Sequence, residues 1–153
     1  MAKLFPYLNF ENAKEALEYY EKYWDAVVYE RMTVMPEMAK EYGIPEEKIP
    51  DTTMHASFGV LNNTILCSDR FDSKENFSSN HGILLDFNSE DETEMESLNK
   101  LYTKIVESGT VKIITKLDDQ FWGGKFGLII DKFGFTWMFH AQPYSKLEDR
   151  VSK

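Results

Sequence analysis

The clearest alternation of apolar and polar positions lies in residues 123–140. β-Branched and aromatic residues run on both sides of residues 131–134, which have turn composition, so the stretch predicts two strands joined as a hairpin. Side chains of the second strand alternate between two faces, with Phe135, Trp137 and Phe139 on one and Thr136, Met138 and His140 on the other. Three large aromatic residues are typical of a packing face. We therefore expect the opposite face to line a cavity.

The first half of the chain predicts a strand, a helix and a second strand in that order. Residues 4–10 and 26–34 have strand composition, and between them apolar residues recur at spacings of three and four. The residues of this stripe are Ala13, Ala16, Leu17, Tyr20, Tyr23 and Trp24. Either Asn9 or Asn12 is suited to cap the helix at its N-terminus.

Two further stretches complete the first half. Residues 35–52 contain three prolines, so we expect a long loop with one helical turn between Pro36 and Gly43, either covering a ligand or forming a surface insertion. Residues 53–61 and 64–71 flank Asn62 and Asn63, which can adopt positive φ, and predict a hairpin with its two-residue turn there. That register pairs His55 with Arg70, on the face opposite Cys67, which favours a structural or interface role for His55.

The second half repeats the order. Residues 81–88 have strand composition, residues 89–92 match a capping box, and the helical stripe that follows ends at Gly109. Residues 110–116 predict another strand and residues 117–124 a loop before the hairpin. We interpret the polar residues 72–80 as a linker between module one (about 3–71) and module two (about 81–143), within a single domain that ends in a tail at 144–153.

The two halves therefore form an internal repeat, with βαβββ order in each. The segment FPYLNF aligns with GILLDF, and ILCSD aligns with TWMFH. Self-similarity over half the chain outweighs the assignment of any single element. This alignment makes Phe5 equivalent to Gly82 and Cys67 equivalent to Met138, and it places Asp69 opposite His140. We expect these positions to face a cavity around a pseudo-twofold axis.

Composition and charge narrow the function classes. The 153 residues carry a net charge of -9 without a Lys/Arg-rich run, so nucleic acid and anionic membranes are not expected partners. A single cysteine excludes an intramolecular disulfide and a CxxC pair. No apolar run reaches the roughly 20 residues needed to span a bilayer. The first residues lack a basic-then-apolar signal pattern, and we expect a cytoplasmic protein.

The order and spacing of several motifs resemble the vicinal oxygen chelate superfamily, and within it the PhnB-like subgroup. They are PYLNF at 6–10, NAKEALEYYEKYW at 12–24, MHASF at 54–58, HGILLDF at 81–87 and FWGG…FG…DKFGFTW at 121–137. The resemblance covers nearly all of residues 4–143. It implies an α+β fold of two βαβββ modules that form a curved mixed sheet around a cleft, and a homodimer.

The resemblance also implies a place for a metal, because metal-dependent members hold their ion with His and Glu on the first and last strands of the modules. Local alignment puts those positions near Phe5, Cys67, Gly82 and Met138. Phenylalanine, glycine and methionine cannot replace hard donors, and one thiolate does not make a site. We expect neither the metal site nor glyoxalase activity, and no cofactor; a relocated divalent metal is the alternative.

His140 is the candidate for chemistry, because imidazole titrates near neutral pH. With Asp69 as the carboxylate that orients it, it would act as a general base; otherwise it is a hydrogen-bonded histidine at the rim. Cys67 is expected to be a buried core residue. Trp122, next to two glycines, forms either an aromatic flap over a ligand or a loop anchor. His81, at the start of a strand, is expected to be exposed.

Together these features predict a protein that binds a small apolar or aromatic molecule without a metal. The expected cleft residues are Phe5, Tyr7, Cys67, Asp69, Gly82, Trp122, Thr136, Met138 and His140. Two alternatives remain, an isomerase, lyase or ring-modifying enzyme that uses His140, and a purely structural dimer. A methyltransferase or dinucleotide enzyme is not supported, because no GxGxxG follows a strand.

Overall fold

The computed structural model describes residues 3–71 and 81–147, and each of these two ranges forms a compact unit. Each unit holds one four-stranded mixed sheet and has the element order βαβββ. The predicted α+β fold of two βαβββ modules is therefore confirmed. The expected linker at 72–80 lies outside the described residues, as does most of the C-terminal tail.

Module one consists of four strands, two α-helices and one 3₁₀ turn. They are β1 (Tyr7–Phe10), α1 (Ala13–Trp24), β2 (Val27–Thr33), α2 (Pro36–Glu41), the 3₁₀ turn Glu46–Asp51, β3 (Thr53–Val60) and β4 (Asn63–Asp69). The sheet order is β1-β4-β3-β2, with β1 and β4 parallel. Of the two predicted caps, Asn12 is the one used: its side chain accepts a hydrogen bond from the Glu15 N–H at 3.1 Å.

The stretch predicted as a long loop contains more regular structure than expected. Pro36 begins α2 at a position where a missing N–H costs nothing, since the first N–H groups of a helix have no partner within it. A 3₁₀ turn then follows at Glu46–Asp51. The helical turn predicted after Pro36 is thus present, and the prediction missed the second one.

The core of module one lies between α1 and one face of its sheet. The ring of Tyr20 stacks on that of Phe58 with centroids 5.1 Å apart. Trp24 and Cys67 are also buried there, and the paired residues Leu8 and Cys67 share this face. The apolar stripe of α1, which was predicted from its spacing, is therefore what covers the sheet.

Module two repeats the plan with one long helix. Its elements are β5 (Gly82–Asn88), α3 (Glu92–Glu107), β6 (Lys112–Gln120), β7 (Gly124–Ile130), β8 (Thr136–Gln142) and the 3₁₀ turn Tyr144–Lys146. The sheet order is β5-β8-β7-β6, with β5 and β8 parallel. β6 runs to Gln120, through much of the segment predicted as a loop, and its register with β7 is irregular.

The N-cap of α3 lies two residues after Ser89, the first residue of the predicted capping box at 89–92. Asp91 is the N-cap, and its side chain accepts from the Glu94 N–H at 3.1 Å. The Glu94 carboxylate accepts from the N–H of Asn88, while Glu90 belongs to the preceding turn, where its N–H is bonded to the Asn88 side chain. Asp91 and Glu94 have the same spacing as the predicted pair, so the pattern alone did not distinguish them.

The predicted turn of the first hairpin was wrong by one position. The residues with positive φ are Leu61 and Asn62, with φ of 49° and 63°. As a result Ala56, and not Ser57 or Phe58, lies opposite Cys67, and the predicted pair of His55 with Arg70 is not formed. His55 nevertheless lies on the face opposite Cys67, as expected, because Ala56 and Cys67 are paired and share the other face.

The strand register also corrects the alignment of the repeat. Leu8 pairs with Cys67 in module one, and its repeat partner Leu85 pairs with Phe139 in module two. Cys67 is therefore equivalent to Phe139 and not to Met138. With this register, the positions equivalent to Met138 and His140 are Leu66 and Ser68. The predicted alignment placed Cys67 and Asp69 there, on the wrong face of β4, because a slip of one residue exchanges the two faces of a strand.

Candidate functional site

The face of β8 that does not contact the helix carries the candidate chemistry. Trp137 and Phe139 are fully buried, and the ring of Tyr102 from α3 contacts that of Phe139. The alternate residues Thr136, Met138 and His140 are only partly buried and lie on the other face. This division between the faces of β8 was predicted from the alternation alone.

His140 is paired with a carboxylate on the neighbouring strand. Its Nδ1 lies 2.6 Å from Oδ1 of Asp86, and the two residues are register partners in parallel strands β8 and β5. The second oxygen of Asp86 accepts from Nε2 of Gln142 at 2.8 Å. Both side chains of the pair are partly exposed, 19% for His140 and 26% for Asp86. The carboxylate is thus held by two side chains of β8, and it orients the imidazole.

Tyr144 supports this pair from the segment after β8. Its hydroxyl donates to the backbone oxygen of Asp86 at 3.2 Å, and its N–H donates to the side chain of Asn88. Burial, together with the nearby charges of Asp86 and Glu94, raises the pKa of the Tyr144 hydroxyl above its ordinary value. The raised pKa favours the protonated hydroxyl, which is the form that donates to the Asp86 backbone oxygen.

Trp122 forms an aromatic wall beside His140. The indole and imidazole centroids are 5.6 Å apart with an interplanar angle of 35°, and the indole N–H donates to the Ala141 backbone oxygen at 2.9 Å. Gly124 makes this approach feasible, because a Cβ there would lie 1.8 Å from the same oxygen and 2.9 Å from the indole nitrogen. Trp122 is thus an anchored wall rather than a free flap.

A cavity of about 390 Å³ opens beside this wall. Three apolar residues and three polar residues line it, namely Phe121, Trp122 and Pro143, and His140, Gln142 and Lys146. Phe121 lies at the edge of the cavity, and 97% of this residue is exposed. A site of this kind, with an aromatic wall and a few convergent polar groups, can hold a small amphiphilic molecule.

Asp69 is not the partner of His140. Its carboxylate accepts from the backbone N–H groups of Ala13 at 2.7 Å and Thr53 at 3.1 Å, all within module one. Burial raises the pKa of Asp69 above its ordinary value, against the lowering effect of these two bonds. Asp69 was predicted in this role because the repeat alignment was shifted by one residue. The signal for Asp86 was present, since it alternates with the buried Leu85 and Phe87 in β5.

The positions that the superfamily implies for a metal do not fit one. Cys67 lies fully buried on the face that packs against α1, away from the open face of its sheet. Phe5, Gly82 and Met138 have no hard donor, nor does Leu66, which the corrected register makes equivalent to Met138. Within residues 3–71 and 81–147, His, Cys, Asp and Glu side chains form no cluster of three able to hold a metal ion.

The remaining predicted residues lie on several surfaces. Tyr7 is half exposed on the open face of module one, where its ring centroid is 6.1 Å from that of His55. Phe5 precedes β1 and is 42% exposed. Gly82 begins β5, next to Thr136 in the sheet, and His81 before it is exposed, as expected. Of the predicted cleft residues, the described cavity brings together Trp122 and His140.

A family model matches residues 2–139 and is described as 3-demethylubiquinone-9 3-methyltransferase. The match covers most of the chain. The chain belongs to this family. The PhnB protein of Bacillus cereus, whose structure carries the same description, is 21% identical, and the fit covers 92% of this chain and 99% of that one with a TM-score of 0.62.

Two further proteins are similar to the chain. Protein YjdN of Escherichia coli is 26% identical over 145 residues, which is 90% of this chain and 94% of YjdN. The fosfomycin resistance protein FosX of Listeria monocytogenes, in a complex with Mn(II), is 12% identical and matches 99% of this chain and 98% of its own with a TM-score of 0.59. The predicted membership in the vicinal oxygen chelate superfamily, PhnB-like subgroup, is confirmed.

In the described part of the chain, every helix is too short or too polar to cross a membrane.

Proposed function

We propose that this protein binds a small molecule with an aromatic or apolar body in the cavity beside Trp122 and His140. The observation that carries the proposal is the indole wall next to a polar edge. Trp122 supplies a flat apolar surface, fixed by its hydrogen bond to Ala141, and His140 supplies a group that can bond the ligand. A preformed wall lowers the entropic cost of binding.

The proposal involves neither a metal nor methyl transfer. The side chains at the implied metal positions lack hard donors, and the one thiol among them is fully buried on the face that packs against α1. The family description names a methyltransferase, but the sequence lacks a GxGxxG motif after a strand, on which a nucleoside-containing donor could rest.

The tryptophan residues allow a direct test. Trp24 and Trp137 are buried, with exposures of 1% and 0%, whereas Trp122 lines the cavity. Compounds from a natural-product and antibiotic library that raise the melting temperature should therefore quench the fluorescence of Trp122. In Trp122→Phe the quenching should vanish, while the emission of the two buried indoles stays.

The matched control replaces an aromatic residue of module two away from the cavity. In Phe133→Leu both the thermal shift and the quenching should match those of the wild type. If the compounds stabilise wild type and Trp122→Phe equally and leave the fluorescence of Trp122 unchanged, they bind elsewhere and the proposal is wrong. A library without any stabilising compound would also count against it.

The His140–Asp86 pair favours a second candidate, an enzyme that moves a proton in an isomerase or lyase reaction. An imidazole whose Nδ1 is held by a carboxylate presents its other nitrogen as a base. A ligand found in the first screen, incubated in D₂O, would exchange an acidic C–H for deuterium, as followed by proton NMR. His140→Gln would abolish this exchange without abolishing binding. Absence of exchange in the wild type would leave sequestration as the function.

We also propose that the protein acts as a homodimer. Size-exclusion chromatography with light scattering would measure its mass, and a mass near 17.9 kDa, that of one chain, would contradict the proposal.

A further inference from the structure

The polar edge of the cavity contains one imidazole nitrogen that the protein does not use. Nδ1 of His140 is bonded to Asp86, and across the described residues no hydrogen bond is made by Nε2. His140 nevertheless lines the cavity together with Lys146. A ligand can therefore reach a nitrogen whose hydrogen-bonding role is set by the bond on the other side of the ring.

That role follows from the contacts of Asp86. One of its oxygens, Oδ1, contacts Nδ1 of His140, and the other, Oδ2, accepts from Nε2 of Gln142. An ionised carboxylate has no hydrogen to donate, so the hydrogen of this short contact resides on Nδ1. In a neutral imidazole Nε2 is then a hydrogen-bond acceptor. A partner for Nε2 must bring a hydrogen, which an ionised carboxylate or phosphate does not have.

Other polar groups limit the choice further. Lys146 is a cation on the rim of the cavity and disfavours a ligand ammonium group. Asp86 from β5 contacts His140 directly, while Trp122 and Phe126 contact the ring as uncharged aromatics. Lys146, from the segment after β8, lines the same cavity; hydrogen bonds from Ser145, and then the charge of Lys146, lower the pKa of the nearby Glu90 carboxylate. The donors that remain are neutral groups such as a hydroxyl or an N–H, and among these Lys146 favours an acidic hydroxyl, because it develops negative charge.

We propose that the ligand carries an acidic hydroxyl of the phenol or enol type, which donates its hydrogen bond to Nε2 of His140. Asp86 is a positioning residue that fixes the hydrogen on Nδ1. If the proton moves, it passes from the hydroxyl to Nε2 and the electron pair stays on the ligand oxygen. The resulting imidazolium is stabilised by Asp86, and the oxyanion by Lys146. This inference deepens the proposed function and rests on it.

The test compares 4-nitrophenol with 4-nitroanisole, its methyl ether, in a buffer below the pKa of the free phenol. Both rings can rest against Trp122, but only the phenol can donate. We expect the phenol to bind at least about tenfold more tightly, the size of one good hydrogen bond to a group that becomes charged. Its phenolate absorbance should rise on binding, although the free compound is protonated in that buffer.

Variants separate the roles of the residues. His140→Gln should abolish both the tenfold preference and the phenolate band while leaving nitroanisole binding in place. Asp86→Asn should reduce the phenolate band, which a merely structural role would not do. His81→Gln, at the exposed histidine outside the cavity, is the control and should match the wild type. Circular dichroism spectra would verify that each variant is folded.

The outcomes distinguish this inference from the proposed function. If phenol and ether both quench Trp122 and bind equally, the cavity binds aromatic molecules but the acidic-hydroxyl inference is wrong. If the phenolate band persists in folded His140→Gln, another group takes the proton and the inference is also wrong. If neither compound binds, both proposals fail for this ligand class.

Discussion

His140 and Asp86 lie on adjacent parallel strands and meet through a 2.6 Å contact between Nδ1 and Oδ1. The pairing depends on strand register, because residues that are partners in a parallel ladder point to the same face. Rigid strands rather than loops therefore hold the pair. A site carried in this way keeps its geometry without a ligand.

Asp86→Ala should lower the free energy of unfolding by about 1–2 kcal/mol, because two side-chain donors, on His140 and Gln142, lose their acceptor at a partly exposed site. Urea denaturation measures the change. Asp119→Ala is the control, since it removes only an exposed ion pair with Lys125 and should cost less than about 1 kcal/mol. Equal losses in the two variants would contradict the structural role of Asp86.

Asp131 is a buried carboxylate that holds the turn before β8. It accepts from the Trp137 indole N–H at 2.8 Å and from the N–H groups of Phe133 and Phe135. Asp131→Ala leaves these donors unpaired, and we expect a loss of about 3 kcal/mol or more in urea denaturation. Asp131→Asn, which keeps an acceptor oxygen, should lose less. A loss below 1 kcal/mol for the alanine variant would show that water replaces the carboxylate.

Gly124→Ala should destabilise module two strongly, because the new Cβ would meet backbone atoms of Ala141, which cannot move aside. We expect a loss of about 3 kcal/mol and release of the Trp122 indole from its acceptor, seen as a red shift of its emission. The matched control is Gly82→Ala, whose Cβ would lie 3.1 Å from the Met138 terminus and 3.2 Å from the Thr136 backbone oxygen, so that a shift of a few tenths of an ångström relieves it. If both variants melted at the same temperature, the close approach at Gly124 would not matter.

Cys67 should make stability fall at alkaline pH. Burial raises the pKa of its thiol from 9.0 to about 12, so the unfolded chain loses this proton at a lower pH than the folded chain. The stabilisation is complete below pH 9.0 and is lost as pH rises toward about 12, with a slope of about 1.4 kcal/mol per pH unit between the two values. The difference in unfolding free energy between wild type and Cys67→Ala isolates this thiol from tyrosine and lysine titration. A difference independent of pH would contradict the prediction.

The sequence predicts the fold well where two signals coincide. The stripe of α1 and a suitable cap at Asn12 define one helix, and the alternation assigns residues 136–140 of β8 to the correct faces. Phe135, which was predicted to share the packing face, precedes β8 and is only partly buried. The periodicity of apolar residues shows which face of each helix or strand is buried, and the packing of these buried faces forms the core of each module. These predictions needed no knowledge of partners distant in sequence.

The sequence does not predict the site as well, because its geometry depends on strand register. The first hairpin turns at Leu61 and Asn62, although leucine with positive φ is unfavourable and Asn62-Asn63 fits the composition rule better. This error changed the predicted pairing of β4 with β3. The repeat alignment was also shifted by one residue, and for that reason it placed Asp69 opposite His140. The true partner, Asp86, is 54 residues from His140 and becomes visible only through the pairing of β5 with β8.

The anchoring of Trp122 affects how this cavity can change. Its indole bonds to the backbone oxygen of Ala141, an acceptor that no side-chain substitution in β8 can remove. Residues 140 and 142 can therefore be exchanged while the aromatic wall stays in place, provided that position 124 remains glycine. The cavity has a constant wall and a polar edge that can vary independently of it, so that under the proposed binding function specificity would be altered at the edge alone.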